Sequence, residues 1–166
     1  MHRFFEGELK RVEGVSSHMA FAPDRRTLLV VDSGHRRLVA YETPLWDDGD
    51  PMTQTDLVDA PGRSISTPDP QIADPRAVEL GELRTLAKLP GWEVPSGLAV
   101  GGEQLFVGDA KTGKIHHLDL DGELLQVLET GFEPWSLAGL AWGPDQRLYL
   151  ANWNEGSVYR VEVPEL

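Results

Sequence analysis

Histidines and carboxylates are the residues of this 166-residue sequence that could do metal or acid–base chemistry, since it contains no cysteine. Without cysteine, disulfides, thiol catalysis and cysteine-based zinc sites are excluded. His116 and His117 are adjacent in a strand-like run, so they point to opposite faces and cannot bind one metal together. His35 lies in a polar turn, where we expect a structural role. His18 stands before an apolar run and is the one candidate metal ligand, the alternative being a histidine that lines a channel.

Acidic and amide side chains recur at one position, the end of a strand-like run, as Asp32, Asp109 and Asn152. A recurrent acid can indicate repeated metal sites. It can also accept hydrogen bonds from the amides of the following turn, and this pattern favours that interpretation. The acidic segment 47–50 lacks the spacing of an EF-hand and is interpreted as a solvated loop.

Two tryptophans, Trp135 and Trp153, lie before and after the strand-like runs at 140–142 and 148–152. An indole combines a large apolar surface with one N–H donor, so it suits a ligand mouth or an interface as well as a core. We take Trp135 and Trp153, together with His18, as the candidate ligand-binding residues. No catalytic residue can be named, because the sequence lacks G-x-S-x-G, a P-loop and G-x-G-x-x-G.

Three copies of one pattern organise the chain, and the clearest is residues 139–161, GLAWGPDQRLYLANWNEGSVYRV. The others are residues 97–118 and 18–41. Each has an apolar strand, a turn, a strand ending in Asp or Asn, a turn with Gly and a third strand. Gly97 and Gly139 are 42 residues apart, and a period of about 40–50 residues with several strands per unit indicates propeller blades.

This pattern resembles the repeats of NHL and SMP-30/gluconolactonase-like six-bladed β-propellers. SGHRRLVAYE is close to the end of an NHL repeat, and GLAWGPDQRLYLANWNEGSVYRVE is closer to an SMP-30 blade. The resemblance covers about residues 16–43 and 95–163. It implies blades arranged around a central channel, with ligands bound at the channel mouth where inner strands begin.

The resemblance also implies where a metal would lie. We expect the inner strands to open at His18, Gly97 and Gly139. In SMP-30-like enzymes, carboxylate and Asn side chains near the starts of inner strands hold a divalent metal, and here the positions just before those openings are Ser17, Ser96 and Ala138. This departure argues against a calcium- or zinc-dependent lactonase. SSHMAFAP resembles the His-bearing inner strands of amidating-lyase-type NHL propellers, whose histidines hold zinc, but only one of the three copies carries such a residue, His18.

The predicted fold is all-β: one domain over residues 1–166 with about three four-stranded propeller blades. Residues 44–80 contain six prolines and are interpreted as a loop excursion within the first blade, with the delayed outer strand at 83–89. Residues 4–12 are expected to supply the missing outer strand of the last blade, or of that blade in a neighbouring subunit. Three blades do not close a ring, so we expect a homodimer that completes a six-bladed ring, the alternative being one portion of a longer chain.

The formal net charge of −12 argues against nucleic acid and against an anionic membrane surface as partners. No apolar run approaches the ~20 residues that span a bilayer. The first residues lack an apolar signal segment, and the sequence leaves the compartment open between cytoplasm and periplasm.

Taken together, the sequence favours a non-catalytic binding or assembly module that engages a small-molecule or protein ligand at the channel mouth, with no cofactor. The alternative is a metal-dependent hydrolase or lyase, lactonase-like or amidating-lyase-like, that uses His18 and a divalent metal. A repeat scaffold specifies architecture better than activity, so both stay open at this point.

Overall fold

Three antiparallel β-sheets follow one another along the chain in the computed structural model, which describes residues 9–10, 12–42 and 83–161. The first sheet consists, from inner to outer strand, of β1 (Met19–Phe21), β2 (Thr27–Asp32), β3 (Arg37–Glu42) and β4 (Leu83–Ala87). The second consists of β5 (Pro95–Gly101), β6 (Gln104–Asp109), β7 (Lys114–Asp119) and β8 (Leu124–Glu129). The third consists of β9 (Leu137–Trp142), β10 (Leu148–Asn152) and β11 (Ser157–Val161). The described residues form no helix, and the predicted all-β fold is confirmed.

Most predicted strands are present with ends shifted by a few residues. The delayed outer strand expected at 83–89 is β4, which pairs with β3. Gly97 and Gly139, however, do not open the inner strands. The strands β5 and β9 start earlier, at Pro95 and Leu137, because a register shift at each start lets the chain pair with its neighbour before the glycine.

Two predicted segments fall wholly or partly outside the described residues. The excursion at 44–80 lies outside them. Of residues 4–12, the structure describes Leu9, Lys10 and Val12, and Lys10 lies beside the β2–β3 turn, where its carbonyl accepts the Gly34 N–H at 3.0 Å. Among the described residues, no helix is long and apolar enough to cross a membrane.

The inner strands β1, β5 and β9 lie side by side, with β5 between the other two. The His18 N–H donates to the Ser96 carbonyl at 3.2 Å, which joins the start of the first inner strand to the start of the second. The second sheet is therefore the central one, and each of its faces contacts a neighbouring sheet.

Two hydrophobic clusters fill the spaces between these sheets. Along β5 and β6, alternate side chains point to opposite faces, as a strand requires. Leu98 and Val107 belong to the cluster against the first sheet, whereas Ala99 and Phe106 belong to the cluster against the third. Burial of apolar surface thus holds the sheets together, with hydrogen bonds such as that from His18 to Ser96 at their ends.

Close approach between the second and third sheets depends on glycine. A Cβ at Gly101 would lie 2.1 Å from Cδ2 of Trp142, so the indole lies directly on the glycine backbone. The same indole stacks on Phe106 with ring centroids 5.3 Å apart and planes at 10°. The large Trp142 side chain of the third sheet therefore packs on Gly101 of the second sheet.

Candidate functional site: the channel mouth

The predicted ligand-binding residues lie at one end of the sheets. Trp135 precedes β9 by two residues, and Trp153 follows β10 directly. Because β9 and β10 are antiparallel, the start of one strand and the end of the other meet at the same end. His18 precedes β1 and bonds to Ser96 in β5, which places it at this end too. We call this end the channel mouth.

Trp135 and Trp153 form a pair of exposed indoles, named here the Trp shelf. Their exposed fractions are 48% and 68%. The Trp153 indole N–H donates to the Trp135 carbonyl at 2.8 Å, so the second ring is fixed relative to the backbone of the first. The shelf presents its apolar surface to solvent, while the Trp153 indole N–H is satisfied within the protein.

The backbone under the shelf is strained and firmly held. Trp135 has φ of +70°, a left-handed conformation that bulky side chains rarely adopt. Its N–H donates to the Ala110 carbonyl at 2.7 Å, and the Ser136 carbonyl accepts the Trp153 N–H at 3.0 Å. Asn154 adds a bond from its side-chain amide to the Ser136 hydroxyl at 2.8 Å. Supporting residues such as these carry no sequence signal that would have predicted them.

His18 lies half-buried at the mouth, next to the third inner strand. Its Cε1 is 3.6 Å from the position that a Cβ on Gly139 would take, so the imidazole extends past β5 to β9. Its backbone N–H and carbonyl are used by Ser96 and Val31. The imidazole therefore lies at the mouth, beside the inner strand of the third sheet.

Asp109 shows how the recurrent acids are used. Its Oδ2 accepts the N–H groups of Glu93 and Val94 at 2.6 and 2.9 Å, and its Oδ1 accepts those of Lys111 and Thr112, both at 3.0 Å. The carboxylate thereby ties the loop before β5 to the turn after β6. Its lone pairs are occupied by backbone amides, as expected for a turn-forming acid rather than a metal ligand.

Asp32 has the same role in the first sheet with side-chain partners added. It accepts the Lys10 N–H at 3.0 Å, the Arg37 Nε–H at 2.8 Å and a bond from His35 Nδ1 at 2.8 Å. Burial alone would raise the pKa of Asp32, but these hydrogen bonds outweigh it and hold the pKa below its usual range. The predicted structural role of His35 is consistent with this contact.

A metal centre would need further ligands near His18. Within residues 9–10, 12–42 and 83–161, no three His, Asp or Glu side chains are grouped closely enough to hold a metal ion. Asn152, the third recurrent residue, accepts the Glu155 N–H at 3.3 Å. Among the described residues, His18 and the turn acids are therefore not grouped as one set of metal ligands.

His116 and His117 lie on opposite faces of the central sheet, as predicted, and both are buried. The ring of His117 stacks on Phe106 with centroids 4.5 Å apart, and its Nδ1 accepts a bond from the Gln126 side-chain amide at 3.0 Å. The ring of His116 meets Trp92 edge-on at 5.8 Å. Burial lowers the pKa of both imidazoles, partly opposed at His116 by the charge of Asp109.

No family model and no curated protein matches this sequence. Solved β-propellers do match. The β-propeller domain of Cps50 (Swd1) from Myceliophteria thermophila gives a TM-score of 0.57 at 15% identity, over 89% of this chain and 40% of that one. Virginiamycin B lyase from Staphylococcus aureus gives 0.52 at 13% identity, over 89% and 41%. A gluconolactonase from Xanthomonas campestris gives 0.50 at 19% identity, over 86% and 37%.

At such identities the likeness shows the fold alone, which is that of a propeller. The chain spans between 37% and 41% of the length of these structures, consistent with a partial propeller. The NHL assignment and the number of blades in a closed ring stay predictions.

The two buried histidines predict a specific pH dependence of stability. Burial lowers the pKa of both imidazoles in the folded state, whereas the unfolded chain takes up protons near the ordinary pKa of about 6.5. Stability is then fully present above pH 6.5 and falls as pH drops below it, by up to about 1.4 kcal/mol per pH unit for each proton. Urea unfolding at pH 5 to 8 measures this.

The matched variant is His116→Gln combined with His117→Gln, which removes both titrating groups. Its free energy of unfolding should change less between pH 7.5 and 5.5 than that of the original chain. Equal slopes in that range would show that the histidines do not cause the effect. Turn acids such as Asp32, whose pKa is lowered, change the unfolding free energy only at lower pH, outside this range.

Proposed function

We propose that this partial propeller is a non-catalytic module that binds a ligand or protein partner at the channel mouth through the Trp shelf. The observation that carries the proposal is the exposure of Trp135 and Trp153 on a hydrogen-bonded backbone. Large aromatic side chains are normally packed against the rest of a protein, and an exposed pair of them is typical of recognition surfaces. The positive φ of Trp135 supports the same conclusion, because backbone strain tends to be kept where a site needs it.

Pre-organisation is the physical advantage of this arrangement. Ordering a side chain at an interface costs about 0.5–1.5 kcal/mol, and the shelf has met that cost during folding. The bonds to Ala110 and Ser136 hold the backbone, and the bond from the Trp153 indole holds that ring against the Trp135 backbone. A flat ring can therefore stack on the shelf without rearranging it.

The charge near the shelf selects among such rings. Glu133 precedes the shelf in the β8–β9 loop and is exposed, and Glu155 follows it in the β10–β11 turn. The whole chain is strongly acidic as well. We therefore propose that the ligand presents a ring or planar group that is neutral or positively charged.

A metal-dependent hydrolase or lyase centred on His18 is the second candidate. The position of His18 at the mouth favours it, as does the likeness to a lyase and a gluconolactonase. The residues described here supply one imidazole and no cluster around it. This candidate therefore requires ligands from elsewhere, for which a second copy of the chain is one source.

Titration with simple indoles tests the binding proposal. The probes are tryptamine, indole and indole-3-acetate, which share one ring and differ in charge, and the readout is the indole N–H signals of the ¹⁵N-labelled chain. We expect the signals of Trp135 and Trp153 to shift most, with tryptamine bound more tightly than indole-3-acetate. Trp153→Ala should weaken tryptamine binding about five- to tenfold, which corresponds to losing one aromatic stack.

Leu124→Ala is the matched control, since Leu124 is 42% exposed and begins β8 at the end of the second sheet opposite the channel mouth. It should leave the titration unchanged. Shifts centred on other tryptophans, or equal weakening by both substitutions, would contradict the proposal.

Metal analysis separates the two candidates. The chain is incubated with Zn²⁺, Mn²⁺ or Ca²⁺, desalted and analysed by mass spectrometry for bound metal, together with His18→Ala and the control His35→Ala. The proposal expects less than one metal per chain, with no difference among the three proteins. One metal per chain that is lost only in His18→Ala would overturn the non-catalytic proposal in favour of the enzyme.

A further inference from the structure

Each sheet has two faces with different chemistry, and the strand register defines them. The leading face points toward the preceding sheet in the chain, and the trailing face points toward the next one. On the inner strands, the leading positions carry large side chains: Met19 and Phe21 in β1, Leu98 and Val100 in β5, and Leu140 and Trp142 in β9. The trailing position between them is alanine in all three sheets, namely Ala20, Ala99 and Ala141.

Both interfaces within the chain follow one rule, a leading face packed on a trailing face. Leu98 and Val100 pack with the cluster that contains Ala20. Leu140 and Trp142 pack with the cluster that contains Ala99. Large side chains of one sheet therefore enter the space that small residues leave on the sheet before it.

Among the described residues, the inner-strand part of one face of each kind is exposed at the ends of the series. On the leading face of the first sheet, Met19 is 66% exposed and Phe21 is 54% exposed. Farther out on that face Val39 and Tyr41 are buried, so the open part is the inner strand. On the trailing face of the third sheet, Ala141 is exposed as well.

The open faces also match in their aromatic residues. Phe21 stands where Trp142 stands in the third sheet, since each pairs with the first apolar residue of its second strand, Leu28 or Leu148. Tyr149 stands opposite Ala141, as Phe106 stands opposite Ala99. Within the chain, the corresponding pair Trp142–Phe106 is stacked.

We propose that the leading face of the first sheet docks head to tail on the trailing face of the third sheet of a second copy of this chain. Phe21 then stacks on the partner's Tyr149, and Met19 packs toward the partner's Ala151. We choose a second copy of this chain as the partner because the chain carries both complementary faces. The same packing of a leading face on a trailing face already occurs twice within the chain. The two docking faces include neither tryptophan of the Trp shelf, so the pairing of two chains does not depend on the proposed function.

Two copies close the arrangement with two identical contacts. Each copy offers one leading and one trailing face, so a two-fold axis along the channel satisfies all four faces. The spans of 37% to 41% against solved propellers agree with each copy being close to half of a ring. The closed pair also brings two His18 side chains and two Trp shelves to one channel mouth.

Absolute mass by light scattering on a sizing column tests the inference with the full chain. The original chain should have twice its mass of 18.4 kDa. Phe21→Glu on the leading face and Ala141→Glu on the trailing face should each reduce the mass to one chain. Both positions are exposed, so circular dichroism and the urea midpoint should remain near those of the original. An equimolar mixture of the two variants should recover the two-chain mass, because one of its contacts joins two unmodified faces.

Leu124→Glu is the matched control, since Leu124 is an exposed apolar residue on β8 of the central sheet. It should leave the two-chain mass intact. A single-chain mass for the original protein would overturn the inference, and so would open assemblies larger than two chains. The inference is also overturned if neither face variant dissociates the pair. A mixture that fails to recover the two-chain mass would overturn it too, because a contact between two identical faces would give that result.

Discussion

The packing of large side chains on glycine and alanine between neighbouring sheets is the constraint on which this structure depends. A sheet of three or four strands has two apolar faces and cannot cover either of them itself. The Trp142 indole on Gly101 shows the solution at its closest approach. Because each face must meet its complement, the order of the sheets along the chain fixes their order in space.

Close packing of the sheets in turn positions the channel mouth. Asp109 ties the loop before β5 to the turn after β6, and the Ala110 carbonyl in that turn holds Trp135 of the next loop. The loop before the second sheet is thus attached to that sheet, and the loop before the third sheet is attached to the second. These attachments hold the backbone beneath the exposed tryptophan pair, and they connect the repeat in the sequence to the proposed binding site.

The repeat let the sequence predict the strands and the faces of His116 and His117. It also predicted the turn role of Asp32 and Asp109, because an acid at a strand end has few local partners other than amides. The starts of β5 and β9 were wrong, since a register shift depends on strand pairing. The left-handed Trp135 could not be foreseen, because its conformation comes from contacts with distant residues and not from tryptophan itself.

The unfolding free energy of Gly101→Ala, with and without Trp142→Leu, tests the packing rule most directly. A Cβ at Gly101 overlaps the indole, so the single variant should lose about 1–3 kcal/mol. Gly91→Ala, whose Cβ would meet nothing closer than 3.9 Å, should stay within about 0.5 kcal/mol of the original. With Trp142→Leu already present, Gly101→Ala should cost clearly less, which reveals coupling between the two positions. The same loss in both backgrounds, or a loss no larger than that of Gly91→Ala, would contradict the account.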